Sequence, residues 1–261
     1  MSVHVFNFET GLATDPGKVR DVNEDNCLAD AERGIWLVAD GMGGHTNGKL
    51  ASAKIVEAAA TIGRAASAPD LLARFHDRML GANRELQDIA GRSEDTVIGA
   101  TVVSVLIFGN YCACVWSGDS RVYLLRDGVI AQVSRDHTEV QDLVERGLLT
   151  PQEAKTWPRR NVITRAIGVF DDPQLETVHG KVLPGDRFIL CSDGLTGHVE
   201  DEEILDIAGT YAPQEACDRL VDLTLERGAS DNVTVVITRC LPKSDEQPAG
   251  GDAQGRFERA Q

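Results

Sequence analysis

The sequence predicts an α/β layered sandwich whose sheets are largely antiparallel. Strand-like runs crowd residues 101–133 without the crossover segments that a parallel sheet requires. Gly109-Asn110 and Asp127-Gly128 fall between such runs as hairpin turns, where positive φ is needed. Two long amphipathic segments precede them, and shorter ones follow.

Taken in order, the predicted strands are 35–39, 101–108, 111–117, 121–125, 129–133, 187–192 and 233–238, each rich in β-branched or aromatic residues. Helical spacing appears over 48–66, with Leu50, Ile55, Ala58, Ala59 and Ile62 on one side, and over 69–90, with Leu72, Phe75, Met79 and Leu86. These two are expected to pack as a pair. Shorter helices are expected at 138–146, 201–208 and 213–227, the last opening on Pro213. From Pro242 the chain has almost no apolar residues and is expected to be an unstructured tail, 242–261, after a single domain over 1–241.

With 41 acidic residues against 26 Lys and Arg, the chain carries a formal charge of -15, which disfavours nucleic acid as a partner. An anionic substrate would also be repelled unless metal ions or a local arginine reversed the sign at the site. The six cysteines form no CxxC pair, and no run approaches the roughly 18 apolar residues of a membrane span. A reduced, cytoplasmic protein, monomeric and without a membrane partner, is expected.

Asp40 and Asp193 each close an apolar run and precede a glycine, whereas Asp231 opens one. If the last strand runs antiparallel to the others, its beginning lies at the same sheet edge as their ends, and the three carboxylates converge. Asp119, in a turn between two strands, joins them. Such a group repels itself unless cations sit among it, and oxygen ligands without His or thiolate select Mg²⁺ or Mn²⁺. Gly41 lets a backbone carbonyl approach the metal. Asp127-Gly128, by contrast, reads as a turn and nothing more.

The segments "VRDVNEDN" (19–26), "VADGMGGH" (38–45), "GDSRVYLLRDG" (118–128), "DHT" (136–138), "NVITRAIG" (161–168), "LCSDGL" (190–195) and "SDNVTVVI" (230–237) occur in this order in the bacterial form of the metal-dependent protein phosphatase 2C family, which the chain resembles from about residue 10 to 240. The resemblance implies an α/β (α+β) four-layer sandwich, two antiparallel β-sheets flanked by pairs of antiparallel helices. It implies hydrolysis of phosphoserine and phosphothreonine in proteins by direct attack of a water bridging two Mn²⁺ or Mg²⁺ ions, opposing a bacterial Ser/Thr kinase. Position by position, Asp40 would bridge both metals, the Gly41 carbonyl would bind the second, and Asp193 and Asp231 would complete the first. Asp119 with Asp193 matches the ligands of a weaker third ion, and Arg20 the phosphate-binding arginine. Glu24 and Asp25 match residues that hold metal-coordinated waters.

Met42 stands where the eukaryotic branch has its acid histidine, and His45 is a candidate substitute. Residues of about 134–165 match a flap beside the site, with Arg159, Arg160 and Arg165 as sources of positive charge or of structural ion pairs. Ala229 stands where the family often has a second glycine. The spacing of Cys27 and Arg33 fits a cysteine phosphatase, but the loop between them is acidic and lacks glycine. The rival from another class is a phosphoprotein-binding scaffold on the same fold; a passive cation-binding protein is a third reading.

Overall fold

The computed structural model describes residues 5–44, 46–91, 97–243 and 257–259. In chain order its elements are Phe6–Asp15 (β1), Asp25–Asp30 (β2), Ile35–Met42 (β3), Thr46–Ala60 (α1), Ala68–Ala90 (α2), Gly99–Ala100 (β4), Val102–Phe108 (β5), Tyr111–Ser117 (β6), Arg121–Arg126 (β7) and Val129–Gln132 (β8). They continue with Glu139–Glu145 (α3), Pro151–Ala154 (α4), Glu176–Lys181 (β9), Arg187–Cys191 (β10), Asp193–Thr196 (α5), Asp201–Thr210 (α6), Pro213–Glu226 (α7), Val233–Pro242 (β11) and Glu258–Arg259 (β12).

The strands form a five-stranded sheet, β1-β11-β10-β7-β8, and a seven-stranded one, β12-β9-β6-β5-β3-β2 with β4 paired to β3. Every pairing is antiparallel. Continuous apolar runs become central strands because both of their faces are covered. In β3, Ile35, Leu37 and Ala39 pack with α1 and α2, whereas Trp36 and Val38 pack between the sheets. In β10, Phe188 and Leu190 face the other sheet, and Ile189 and Cys191 face α5, α6 and α7. The result is four layers with three hydrophobic interfaces.

Each helix pair is antiparallel. Lys54 of α1 pairs with Glu85 late in α2, while Thr61, just past α1, accepts from Arg78 earlier in α2. Likewise Arg227, just past α7, pairs with Glu203 early in α6, and Arg219 lies over Tyr211 at the end of α6. Helix α1 stops at Ala60 instead of running to 66, and α2 buries Leu71 where Leu72 was expected.

Besides the two-residue strands β4 and β12, β1, β2 and β9 lacked a sequence signal, and each of these three lies at or next to a sheet edge. There one face or one side meets solvent, and the apolar pattern weakens. The expected tail is corrected at residues 257–259. Strand β12 pairs with Val178 and His179 of β9, and Phe257 lies edge-on to Phe188 at 6.5 Å. Phe257 also fills the space over Gly180, where a Cβ would meet its ring at 2.9 Å. One aromatic ring and an open sheet edge supply the anchoring that the polar composition lacks. Residues 244–256 and 260–261 of the predicted tail lie outside the described residues.

Candidate metal centre

At one end of the sandwich a cavity of about 490 Å³ is lined by Arg20, Glu24, Asp40, Gly41, Asp119, Asp193 and Asp231. Four elements deliver them. Asp40 lies in β3, one residue before Gly41; Asp193 follows β10 and begins α5; Asp231 precedes β11; Asp119 sits in the turn joining β6 to β7, and thus one sheet to the other. Because β10 and β11 pair antiparallel with Cys191 opposite Val235, the end of one strand meets the beginning of the other.

Asp25 lies opposite Asp40 in the β2–β3 register, so the two carboxylates share one face of the sheet. Burial, then the charge of Asp25, pushes the Asp40 carboxyl well above the usual carboxylate range. Burial followed by neighbouring acids raises Asp119 and Asp193 as well. Asp25 rises to about 7, chiefly by burial, although Thr234 and Ser192 oppose the shift by hydrogen bonding. Asp40 is only half-buried by surface area yet deeply desolvated, because the surface it keeps faces the cavity floor.

This electrostatic load fits a pair of hard divalent cations. Asp25 Oδ2 accepts from Ser192 Oγ at 2.8 Å, but Asp25 Oδ1 and Glu24 Oε1 are buried with no hydrogen-bond partner among the described residues. Orphaned carboxylate oxygens beside a cavity are the acceptors that metal-coordinated waters require. Among the described residues no three carboxylate, imidazole or thiol groups are arranged to hold an ion by themselves. Magnesium-like ions do not need such a cage, since they keep several waters and accept few carboxylates. In this structure the positive charge is supplied by Arg20, whose Nη2 donates to Asp231 Oδ2 at 2.8 Å. That hydrogen bond is the main reason its pKa is raised.

Two residues essential to this arrangement escaped sequence reasoning. Asn232 donates through Nδ2 to the carbonyls of Pro16 and Val22 at 2.9 and 3.0 Å, and its Oδ1 accepts from the Glu24 amide at 2.8 Å. The loop that carries Arg20 and Glu24 is thereby fastened beside Asp231. Thr101 accepts from the Asp40 amide, donates its own amide to the Asp40 carbonyl, and pairs with Ser120 Oγ at 2.7 Å. Both are ordinary polar residues flanking apolar runs. Only proximity to an aspartate, as in Asp231-Asn232, offered a signal.

Other expectations resolve differently. Arg159 pairs with Glu139 within the flap, and Arg165 pairs with Glu176 of β9, which ties the flap to the sheet. Cys27 lies in β2 with its thiol pushed up to about 11 by burial, and Arg33 pairs with Asp30, which removes the basis for a cysteine nucleophile. His45 lies outside the described residues. Ala229 adopts φ +35°, so the alanine occupies a left-handed position that suits glycine.

Comparison with known proteins decides the family. The family model for protein phosphatase 2C matches residues 18–232. The chain belongs to the protein phosphatase 2C family. Among its protein phosphatase 2C relatives is the Mycobacterium tuberculosis Ser/Thr protein phosphatase PstP, 39% identical over 226 residues that cover 86% of this chain. The chain spans 43% of that relative's length. Of solved structures, PppA of Pseudomonas aeruginosa, a key regulatory component of T6SS, superposes with a TM-score of 0.84 at 39% identity, covering 90% of this chain and 98% of that one. The catalytic domain of PstP in complex with two manganese ions superposes with a TM-score of 0.80 at 37% identity, with coverage of 90% and 98%.

Proposed function

We propose that this chain is a metal-dependent serine/threonine protein phosphatase that hydrolyses phosphoserine and phosphothreonine in proteins. The observation that carries the reading is the cavity in which Asp40, Asp119, Asp193 and Asp231 meet under Arg20, where burial and mutual repulsion at Asp40, Asp119 and Asp193 outweigh the nearby arginine charge. Two Mn²⁺ or Mg²⁺ ions bound there would lower the pKa of a water and neutralise charge on the phosphoryl group. Asp40, Asp193, Asp231 and the Gly41 carbonyl would hold them, Glu24 and Asp25 would orient coordinated waters, and Asp119 with Asp193 would take a weaker third ion.

Arg20 is a surface-facing fork whose present partner is a carboxylate, Asp231. A phosphate entering the cavity would offer acceptors to both arms of the fork, where Asp231 now takes one, so substrate exchanges one anionic partner for another. In the reaction a water oxygen forms a bond to phosphorus, the ester P–O bond breaks, and the serine or threonine oxygen leaves with a proton. Among the described residues no imidazole lines the cavity, so a water protonates the leaving oxygen in this reading.

The substrates in this reading are proteins phosphorylated by a bacterial Ser/Thr kinase in the cytoplasm, met by a monomeric enzyme. No helix among the described residues is long and apolar enough to cross a membrane. The scaffold alternative is not favoured, because the acidic set and Arg20 are all present.

The test is phosphate release from a phosphothreonine peptide after chelation and again with Mn²⁺, beside Asp193→Asn. Release that needs Mn²⁺ and fails in the variant is expected; manganese binding without release would overturn the reading.

A further inference from the structure

We infer that His137 is a positioning residue, held by Glu176, that clamps the turn bearing Asp119 to the base of the flap, so that flap order and metal affinity at Asp119 change together. The inference rests on the metal reading of Asp119 above.

His137 is 1% exposed and engages both backbone groups of one residue. Its amide donates to the Gly118 carbonyl at 2.9 Å, and its Nδ1 accepts from the Gly118 amide at 3.2 Å. An amide can only donate, so Nδ1 is unprotonated and the imidazole proton sits on Nε2. That nitrogen donates to Glu176 Oε2 at 3.0 Å. Arg165 Nη1 lies 3.1 Å from His137 Nε2 and 3.4 Å from the same Glu176 oxygen; with the proton on Nε2 the guanidinium can donate only to the carboxylate, which receives both. Stacking on Trp116, with ring centroids 6.0 Å apart and planes at 20°, fixes the remaining freedom of the ring.

The other side of His137 belongs to the flap. Its carbonyl accepts from the Thr164 amide at 2.8 Å, Thr138 bridges to Ile163, and Glu139 donates to the Val162 carbonyl at 2.9 Å. Residues 137–139 and 162–164 thus close the flap at its stem, and Ile163 of that stem and the adjoining Asn161 line the cavity. The Gly118 turn is equally confined: φ is +114°, and a Cβ there would meet Thr101 at 2.6 Å. Through Thr101 and Ser120 the same turn reaches Asp40. Displacement of His137 therefore cannot leave either the flap stem or the Asp119 turn in place.

The experiment uses the full chain as wild type, His137→Phe, His137→Asn and Glu176→Ala, all checked by thermal midpoint. Two quantities are read: the rate of tryptic cleavage at the exposed flap residues Arg146, Lys155, Arg159 and Arg160 in metal-free protein, and Mn²⁺ affinity by calorimetry. His137→Phe keeps the stack and removes both nitrogens; it should speed flap cleavage about 5-fold and weaken the weakest Mn²⁺ site about 10-fold. His137→Asn restores an acceptor for the Gly118 amide and should recover most of the affinity. Glu176→Ala, which lines no part of the cavity, should reproduce both defects together and carries the test if the phenylalanine variant does not fold. Unchanged flap cleavage in both variants, or faster cleavage with wild-type Mn²⁺ affinity, would overturn the inference. A wild-type protein that takes up no Mn²⁺ would overturn the metal reading and the coupling with it, whereas wild-type turnover alongside uncoupled variants would overturn the coupling alone.

Discussion

The same dipeptide, Asp-Gly, serves two different physical ends in two regions of this molecule. At the β7–β8 hairpin, Asp127 and Gly128 have φ of +51° and +75°, both are exposed, and a Cβ on Gly128 would meet nothing within 4 Å. Conformation is the whole reason for that glycine. At the cavity, Gly41 and Gly194 have no positive φ, yet a Cβ would come within 2.1 Å of the Gly48 carbonyl and 1.9 Å of the Asn232 carbonyl respectively. There glycine is required by space, because backbone from distant elements passes against the residue after each aspartate. The aspartates differ in the same way: Asp127 projects into solvent, whereas Asp40 and Asp193 face other carboxylates.

The contrast is broken most severely at the glycines. Gly194→Ala should destabilise the fold by about 3 kcal/mol or more, since no side-chain rotation relieves a backbone overlap, whereas Gly128→Ala should cost about 1 kcal/mol of left-handed strain. Denaturant midpoints of the two variants measure the difference. Equal midpoints would mean that the cavity backbone yields freely.

Next in size is the effect at the aspartates. Asp40→Asn should reduce Mn²⁺-dependent phosphate release by more than about 100-fold, the upper cost of losing even an outer partner of a metal ligand. Its metal-free melting temperature at pH 8 should not fall, because an amide has no charged form for burial and the neighbouring acids to disfavour. Asp127→Asn should leave both quantities near wild type. Full turnover in Asp40→Asn would sink the assignment of the site.

The smallest effect sharpens the electrostatic half of the comparison. Asp25 has a folded pKa of about 7 against 3.8 for the free group, so between those values the folded state binds more protons than the unfolded one. Through Asp25 the metal-free protein should therefore lose stability as pH rises from about 4 to about 7. Asp40, Asp119 and Asp193 are shifted in the same direction. Thermal melts in chelator across this range should show the decline, Asp25→Asn should flatten it in part, and Mn²⁺ should offset it.

Legibility followed the range of the interactions involved. The central strands were readable because residues such as Ile35 to Ala39 are buried on both faces, and the β7–β8 turn because φ at Asp127 and Gly128 is a local property. Strands β1, β2 and β9, at or next to a sheet edge, were not, since solvent replaces part of their neighbours. Phe257 shows the opposite failure, a single aromatic in a polar stretch whose partner, Gly180, was unmarked in the sequence.

The sequence by itself determined the acidic inventory, the oxygen-only ligand chemistry and the order of the segments that carry it. Tertiary structure alone decided that Asp25 stands opposite Asp40, that Asn232 fastens the Arg20 loop, that Arg20 meets Asp231, and that His137 joins flap to turn. The physical reason is that propensity and periodicity act over a few residues. Contacts between positions such as 20 and 231 exist only once strand register has fixed which ends of which strands meet.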